Sequence, residues 1–287
     1  MRKSYPCVLF FVSCIVLLHS CQTEIDPNIT VRGSGSDSIL LKQLILRDTT
    51  LPVNADTLEK VSFFYDSNKR LVLVWDSNYA EDCFDRYDYY YKSNDTLPYK
   101  SIWTSKDPSF LDIVIDTTYF FYVNGFVQKD STITYSLTNN SNYGTEVWES
   151  ITVNSASIKV RKTNYSFPPQ GSFVDSILFT RNYLNGNVIK QYPSKFGGPF
   201  DDFDLRMAYD NKPSPLYRKI IHYPLLGRSF AYLFEQPNNP TEYDMLSLDV
   251  QIRITYLYQL NGYPKSATLH RTDYGTVEIN KLDYIYY

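Results

Sequence analysis

The chain has 287 residues, enough for one or two domains, and its side chains carry a net charge of −3 at pH 7. Aromatic residues make up 16% of it, with 27 tyrosines, which excludes general disorder because disordered chains are poor in aromatic residues. The mildly acidic balance argues against nucleic-acid binding, which usually needs a basic face.

The first segment of the chain has the layout of a secretion signal. Arg2 and Lys3 give a positive start, an almost wholly apolar run covers 8–18, and L-H-S-C ends at Cys21. The run is too short for a spanning helix of roughly 20 apolar residues, and it fits a signal core of about 7–15. The segment resembles a bacterial lipoprotein signal peptide, in which the final cysteine is acylated. A plain secretory signal is the alternative.

This resemblance implies that residues 1–20 are removed and that acyl chains such as palmitate anchor the protein to a membrane through Cys21. Each acyl CH₂ contributes roughly 0.8 kcal/mol, so several chains make the anchoring permanent. We expect a cell-envelope protein at the outer membrane, on its surface or its periplasmic side. Cleavage removes Arg2 and Lys3 but no acidic residue, which changes the net charge from −3 to −5. Residues 21–38 contain G-S-G-S and few apolar residues, which predicts a flexible tether.

The four cysteines stand at positions 7, 14, 21 and 83. Only Cys83 would keep its thiol after cleavage and acylation, so we expect no intramolecular disulfide. Cys83 lies among acidic residues in A-E-D-C-F-D, and negative neighbours raise a thiol pKa and reduce its nucleophilicity. We therefore predict a structural role for this residue.

From residue 39 to residue 287 the pattern predicts a single β-rich domain. The best candidate for a helix, 38–46, also fits a strand. Apolar and alternating segments predict strands at 58–65, 70–75, 86–91, 113–123, 145–153, 157–162, 176–184, 205–209, 229–234, 250–260 and 282–287. Proline-containing stretches predict loops at 168–169, 193–199, 213–215 and 237–240.

Short turn sequences separate many of these strands. D-S-N-K occupies 66–69, and Asn-Gly pairs stand at 124–125, 185–186 and 261–262. Asn-Gly between apolar runs indicates a hairpin, because both residues tolerate the positive φ of a type I′ turn. We therefore predict an all-β fold, an antiparallel hairpin meander that forms an open twisted sheet or a sandwich.

A tyrosine-rich strand is the first candidate ligand-binding element. In Y-D-Y-Y-Y, Tyr87, Tyr89 and Tyr91 share one strand face under period-2 alternation. Carbohydrate-binding proteins stack sugars on such aromatic platforms. The alternative is packing in the core or on the sheet surface, where tyrosine is common.

An acidic loop is the second candidate. Asp201, Asp202 and Asp204 follow the glycine-containing F-G-G-P-F at 196–200. Three carboxylates on a flexible loop are suited to binding Ca²⁺, or they can supply a glycosidase carboxylate pair. The spacing is not that of an EF-hand, and a solvated loop is the simpler interpretation.

Catalytic and metal-binding patterns are missing elsewhere in the sequence. After cleavage the histidines are His222 and His270, and neither lies in a G-x-S-x-G or H-E-x-x-H context. Together with Cys83 they are too scattered for a metal-ligand cluster. We therefore expect no enzyme activity, no bound metal and no cofactor.

Three stretches have a distinctive form: V-S-F-F-Y-D-S-N-K-R-L, M-A-Y-D-N-K-P-S-P-L-Y at 207–217, and Y-L-Y-Q-L-N-G-Y-P-K-S-A-T at 256–268. Through these stretches the chain from about residue 56 resembles uncharacterised Bacteroidetes cell-envelope lipoproteins of the DUF4595 type. The resemblance implies a β-rich envelope lipoprotein and no activity. In its two Tyr-Asp units, Asp66 and Asp210 are expected to cap backbone N–H groups at turns.

These observations favour a non-enzymatic, lipid-anchored binding module for a glycan, a peptide or a partner protein. The alternative is a structural or assembly lipoprotein with no small ligand, which pairs a sheet edge with another envelope protein. A hydrolase that uses the acidic loop is a third hypothesis. Nucleic acid is not expected as a partner.

Overall fold

The structure is a computed structural model that describes residues 39–52, 55–79, 82–106, 113–123, 126–153, 157–166, 174–184, 187–193, 205–215, 217, 236–245 and 249–287. The predicted signal peptide, the tether and Cys21 lie outside these residues. So do the predicted strand at 229–234 and the acidic loop. Within the described ranges, no helix has the length and apolar character needed to cross a membrane.

Sixteen β-strands make up the described part of the chain. They are β1 (Leu41–Asp48), β2 (Thr57–Tyr65), β3 (Leu71–Asn78), β4 (Cys83–Tyr90), β5 (Lys100–Lys106), β6 (Ile113–Val123), β7 (Phe126–Ser136), β8 (Ser141–Val153), β9 (Ser157–Ser166), β10 (Val174–Leu184), β11 (Asn187–Pro193), β12 (Leu205–Pro213), β13 (Asn238–Met245), β14 (Val250–Tyr258), β15 (Pro264–Asp273) and β16 (Thr276–Tyr286). The all-β prediction is confirmed.

Each strand pairs antiparallel with the strand that follows it in the chain, so the predicted hairpin meander is also confirmed. The first strand pairs with the last as well, with Leu44 opposite Tyr284 and Asp48 opposite Asn280. Because β1 pairs with both β2 and β16, the sheet closes into a barrel. This corrects the expected open sheet or sandwich. Hairpin signals are local, whereas this closure joins residues more than 230 positions apart, as in the pair Arg47 and Asp283.

The apolar core lies inside seven adjacent strands, β14 to β16 followed by β1 to β4. Their inward side chains form one cluster that includes Leu41, Phe63, Val74 and Leu282, each of which is fully buried. The period-2 alternation of the strands explains this face: in β4, buried residues alternate with half-buried or exposed ones throughout. The inward side chains of these seven strands therefore form one packed cluster.

The outward face of these same strands carries charge. On β4, Arg86 Nε lies 2.7 Å from Asp88 Oδ2. On the β13–β14 pair, Arg253 forms an ion pair with Asp244, and on β16 Lys281 Nζ lies 2.9 Å from Asp283 Oδ1. The inward face of these strands is mostly apolar, with the buried carboxyl groups of Glu59, Asp76 and Asp85 among its side chains. The outward face combines these ion pairs with exposed apolar side chains such as Phe64 and Ile279.

The two ends of the closed sheet are distinguished by where the first strand begins. At the proximal end β1 begins at Leu41 and β16 ends at Tyr286, so odd-numbered strands begin there and even-numbered strands end there. The opposite end is the distal end. The predicted tether would therefore join the sheet at the proximal end, whereas Asp201, Asp202 and Asp204 belong to the connection between two distal strand ends.

Local turn chemistry is partly as predicted. Asp66 Oδ1 accepts from the backbone N–H groups of Asn68 and Arg70, each at 2.9 Å, which confirms the capping role of the first Tyr-Asp unit. In the described Asn-Gly turn, Gly262 alone has a positive φ, +85°. The type I′ turn predicted there is therefore wrong, because it requires positive φ at Asn261 too.

Three further differences concern strand assignment. The helix candidate at 38–46 is the strand β1. The stretch at 237–240 was predicted as a loop, yet β13 begins at Asn238 and includes Pro240, next to an irregularity in its pairing with β12. Proline is tolerated at such irregular positions because no ladder N–H is needed. The strand β5 was not predicted.

Candidate functional site

Tyr87 and Tyr89 share one face of β4, as predicted, and that face is the inside of the sheet; Tyr91 follows the end of the strand. Tyr87 and Tyr89 are 1% and 5% exposed and belong to the apolar core, and Tyr91 is half-buried beside it. They are not an outward platform, because the alternation of β4 sends its odd-numbered residues inward. A ligand of Tyr87 or Tyr89 would have to bind inside the sheet.

Tyr91 is held by its neighbours at the proximal end. Its hydroxyl donates to the Leu71 carbonyl at 2.7 Å, and the Arg70 guanidinium lies 4.6 Å from its ring centroid. Burial raises the pKa of Tyr91 above its ordinary value, although Arg70 opposes this shift. Its contacts give Tyr91 a structural role in fixing the start of β3 against the end of β4.

A polar sector occupies the inward face of the strands that follow the core. On β5, β6 and β7 most of the buried side chains are polar: Ser101, Thr118, Asp130, Thr132 and Ser136. The hydroxyls of Thr118 and Thr132 lie 2.8 Å apart across the β6–β7 pair. Burying polar groups costs free energy unless they find partners. A polar interior of this extent is therefore unlike a purely structural core.

Two carboxyl groups in this sector have strongly raised pKa values. Burial raises the pKa of Asp116 to about 6; Glu146 adds to the shift and a hydrogen bond with Thr134 opposes it. Burial raises the pKa of Asp130 to about 7, with Glu146 again adding and Arg181 opposing. Both carboxyl groups therefore titrate close to neutral pH.

The interior site lies where the core meets this sector and consists of Tyr87, Tyr89, Trp103 and Asp116. Trp103 on β5 stands directly opposite Tyr87 on β4 and Asp116 on β6. The rings of Tyr87 and Trp103 are stacked, with centroids 6.2 Å apart and planes 25° apart. Residues directly opposite in an antiparallel pair have Cβ atoms about 5 Å apart, so these side chains are immediate neighbours.

Three buried polar atoms of the interior site have no hydrogen-bond partner within the described part of the chain. They are the Tyr89 hydroxyl, Trp103 Nε1 and Asp116 Oδ1. Burial also raises the pKa of Tyr89, which keeps its hydroxyl protonated. Buried polar atoms without partners are uncommon in folded proteins and indicate a ligand or ordered water. The site thus offers one N–H donor, one carboxylate acceptor and one hydroxyl.

The interior site is not a metal centre of the usual kind. Among the described residues, no group of three or more His, Cys, Asp or Glu side chains has a geometry that would hold a metal ion. Cys83 is buried at the distal end of β4, which agrees with the structural role predicted for it. His270 is exposed on β15. His222 and the calcium candidate Asp201, Asp202 and Asp204 lie outside the described residues, so that hypothesis stays a prediction.

Sequence reasoning missed Trp103 and Asp116 for different reasons. Trp103 lies on β5, where K-S-I-W-T-S-K lacks a clear apolar alternation. Asp116 was visible as a single acidic residue in the apolar strand I-V-I-D-T-T-Y-F-F-Y-V. An isolated carboxylate inside such a strand is the signal that points to an interior polar site.

Comparison with known proteins gives little that bears on function. No protein-family model matches the chain, and no curated protein matches it. Among solved structures, the chain is similar to a porin-like protein from Bacteroides uniformis at 12% identity and a TM-score of 0.37, over 88% of this chain and 98% of that one. This TM-score is too low to carry an argument about fold or function. The DUF4595-type resemblance therefore stays a prediction.

Proposed function

We propose that the protein is a non-enzymatic, lipid-anchored binding module of the cell envelope, and that its interior site binds a hydroxyl-rich ligand such as a glycan. The observation that carries this proposal is the group of three unpartnered polar atoms on Tyr89, Trp103 and Asp116. A ligand hydroxyl both donates and accepts, so it suits an indole N–H beside a carboxylate. The stacked rings of Tyr87 and Trp103 would pack against the C–H face of a sugar.

Ion pairs on the outer face support anchoring by lipid rather than by the strands. Ion pairs such as Arg86–Asp88, Arg253–Asp244 and Lys281–Asp283 cover outward positions in the middle and at the ends of strands. Charges at such positions are costly against hydrocarbon. They favour a water-facing domain that the acyl chains on Cys21 hold at the outer membrane.

Pairing of a sheet edge with another envelope protein, the mechanism expected for an assembly role, does not fit the described strands. Pairing with another protein through a sheet edge needs an unpaired strand. Each of the sixteen described strands already pairs with two neighbours. An assembly role would instead have to use a face or a loop, and the experiment below separates it from ligand binding. The hydrolase hypothesis depends on Asp201, Asp202 and Asp204, which lie outside the described residues, so it stays a prediction.

The glycan proposal is tested by thermal unfolding of the mature protein with soluble starch, laminarin and yeast mannan. At least one saccharide should raise the melting temperature of the parent protein, because a ligand that binds the folded state stabilises it. The shift should be absent in Asp116→Asn, which keeps side-chain size and changes one polar atom, and in Trp103→Phe, which keeps an aromatic ring and removes the indole N–H. Tyr90→Phe is the matched control, since Tyr90 faces outward on β4.

Two outcomes of this experiment contradict the proposal. Either no saccharide shifts the parent protein, or the shift persists in both interior variants. In the second case ordered water fills the interior site and the saccharide binds elsewhere. The lipid anchor is tested separately by mass spectrometry of the mature N-terminus. Acylated Cys21 is expected, and Cys21→Ser should leave the membrane fraction.

A further inference from the structure

We propose that the proximal end of the sheet is a docking surface for an anionic lipid bilayer, so that the domain rests end-on against the membrane that anchors it. The proposal rests on the lipid anchor proposed above. It goes further by assigning an orientation and a lipid charge. The evidence is the distribution of charge between the two ends of the sheet.

The two ends carry opposite charge. Each end consists of the last two residues of every strand there and the residues that connect those strands. The charges below are those of the residues whose side chains the structure describes. The proximal end has seven basic side chains against Asp66 and Asp95, a net charge of +5. The distal end has three basic and six acidic side chains, a net charge of −3. A chain that is acidic overall thus concentrates positive charge at the end where β1 begins.

Most of the proximal basic side chains are exposed, namely Lys42, Lys69, Lys92, Lys212 and Lys265. Arg70 and Lys100 are half-buried. Three of these lysines extend over tyrosine rings, with Lys100 Nζ 4.3 Å from the centroid of Tyr90 and Lys42 Nζ 5.4 Å from that of Tyr287. Tyrosine beside lysine is the composition of a membrane interface, where rings sit among headgroups and lysine stems reach the phosphates.

Apolar side chains project from the same end. Leu260 at the tip of the β14–β15 turn is fully exposed, and Leu184, Leu257 and Val123 are at least half exposed. Apolar side chains are also exposed at the distal end, so the sign of the charge is what distinguishes the two ends. Only the proximal end combines apolar tips with a positive field. That combination binds anionic headgroups and buries apolar atoms at the acyl boundary.

The predicted tether allows this contact. It would join the sheet at the proximal end and has 18 residues, from Cys21 to residue 38 inclusive. A flexible chain of that length has an end-to-end distance of roughly 25 Å. Such a tether keeps the proximal end close to the bilayer and raises its effective concentration there. Weak contacts between several basic side chains and an anionic surface are then sufficient to orient the domain.

The experiment uses the lipidated full-length protein, purified and inserted through its acyl chains into vesicles. Single cysteines at matched leucines carry an environment-sensitive dye: Leu260→Cys at the proximal end and Leu137→Cys at the distal end. Native Cys83 is buried, and its own labelling is measured in the parent protein. The vesicles are phosphatidylcholine alone or phosphatidylcholine mixed with phosphatidylglycerol, and the readout is quenching of the dye by a water-soluble quencher.

We expect the Leu260→Cys dye to be quenched several-fold less than the Leu137→Cys dye in anionic vesicles at low salt. The difference should disappear in neutral vesicles and at high salt. Lys69→Glu with Lys265→Glu should abolish the protection. Lys106→Glu with Arg206→Glu, the same change in charge at the distal end, should preserve it.

Equal quenching at both positions in anionic vesicles would overturn the proposal. So would protection of Leu260→Cys that persists in detergent micelles, since it would indicate a protein partner or a second copy rather than lipid. Failure of the protein to acquire acyl chains is a different result, because it contradicts the lipid anchor itself. Mass spectrometry of the same sample distinguishes the two failures.

Discussion

Arg47 on the first strand donates from its Nε to Asp283 Oδ2 on the last strand, at 3.0 Å. The same guanidinium donates from a terminal nitrogen to Asp56 Oδ1 at 2.9 Å. One side chain therefore links the two chain-distant strands that close the sheet with the segment that leads into β2. This junction adds a side-chain link to the backbone pairing of β1 and β16 that closes the sheet.

Arg47→Ala should destabilise the folded protein by about 1–2 kcal/mol, because two charge-assisted hydrogen bonds at a partly buried position are lost. Urea unfolding at pH 7 measures the change. Lys281→Ala is the control: its ammonium also contacts Asp283 but is half exposed, so the expected cost is below about 0.5 kcal/mol. Equal costs for the two variants would contradict a special role of Arg47 in closure.

The acid dependence of this junction follows from the pKa of Asp283. Burial alone would raise that pKa, but the hydrogen bonds from Lys281 and Arg47 outweigh it and hold the pKa below its ordinary value. The ion pair therefore stabilises the protein fully above the unfolded value of about 3.9 and is lost as the pH falls through the lowered value. The cost of Arg47→Ala should accordingly shrink at pH 2 compared with pH 7.

Asp116→Asn should stabilise the protein at alkaline pH while it removes ligand binding. The pKa of Asp116 is about 6 in the folded state, above the unfolded value of about 3.9. The folded state therefore binds the proton more tightly, and stability falls as the pH rises from about 4 to about 6. Urea unfolding of parent and variant at pH 4 and pH 8 should show a gain of roughly 1–3 kcal/mol at pH 8 and little change at pH 4. A loss at both pH values would make Asp116 a structural residue.

Asp66→Ala should weaken the first described hairpin. Its carboxylate accepts two backbone N–H groups and pairs with Arg70 Nε at 2.7 Å. Loss of these bonds should cost about 1–2 kcal/mol, measured by chemical unfolding. Asp95→Ala provides a comparison in an exposed turn at the same end of the sheet, with an expected change within about 0.5 kcal/mol. If glycan binding also vanished in Asp66→Ala while the fold remained stable, Asp66 would be a ligand contact as well as a turn cap.

Tyr286→Phe should cost about 1 kcal/mol, because the Tyr286 hydroxyl donates to the Pro264 carbonyl at 2.8 Å. Similar bonds run from Tyr256 to Pro240 and from Tyr122 to Pro98, so hydroxyl-to-carbonyl bonds at the proximal end account for part of the tyrosine content. Tyr119→Phe, on the exposed face of β6, should be neutral within about 0.5 kcal/mol. Thermal unfolding of the two variants checks the contrast.

The strands and their antiparallel order were predictable because each hairpin is encoded by neighbouring residues. The bounds of β6, Ile113–Val123, match the prediction in full, since its apolar run ends at an Asn-Gly pair. The closure between β1 and β16 was not predictable, because no local signal links residues 41–48 with 280–286. Strand β5 was missed because neither of its faces is apolar throughout.

The candidate site was predictable only in part. Tyr87 and Tyr89 were singled out and placed on a common face, but the sequence does not say whether that face is inside or outside. That choice depends on how the whole sheet curves around its core. Trp103 and Asp116 join these tyrosines through pairing between β4, β5 and β6. A pattern within a single strand cannot show such a constellation.

The most direct test of the binding proposal is a calorimetric titration of the saccharide that stabilises the parent protein into parent, Trp103→Phe and Trp75→Phe proteins. Trp75 is the matched control, because its indole N–H already donates to the Ser77 hydroxyl at 3.0 Å. We predict that Trp103→Phe weakens binding at least tenfold, about 1.4 kcal/mol, while Trp75→Phe binds like the parent. Equal affinity in all three proteins would contradict the claim that the interior site binds the ligand.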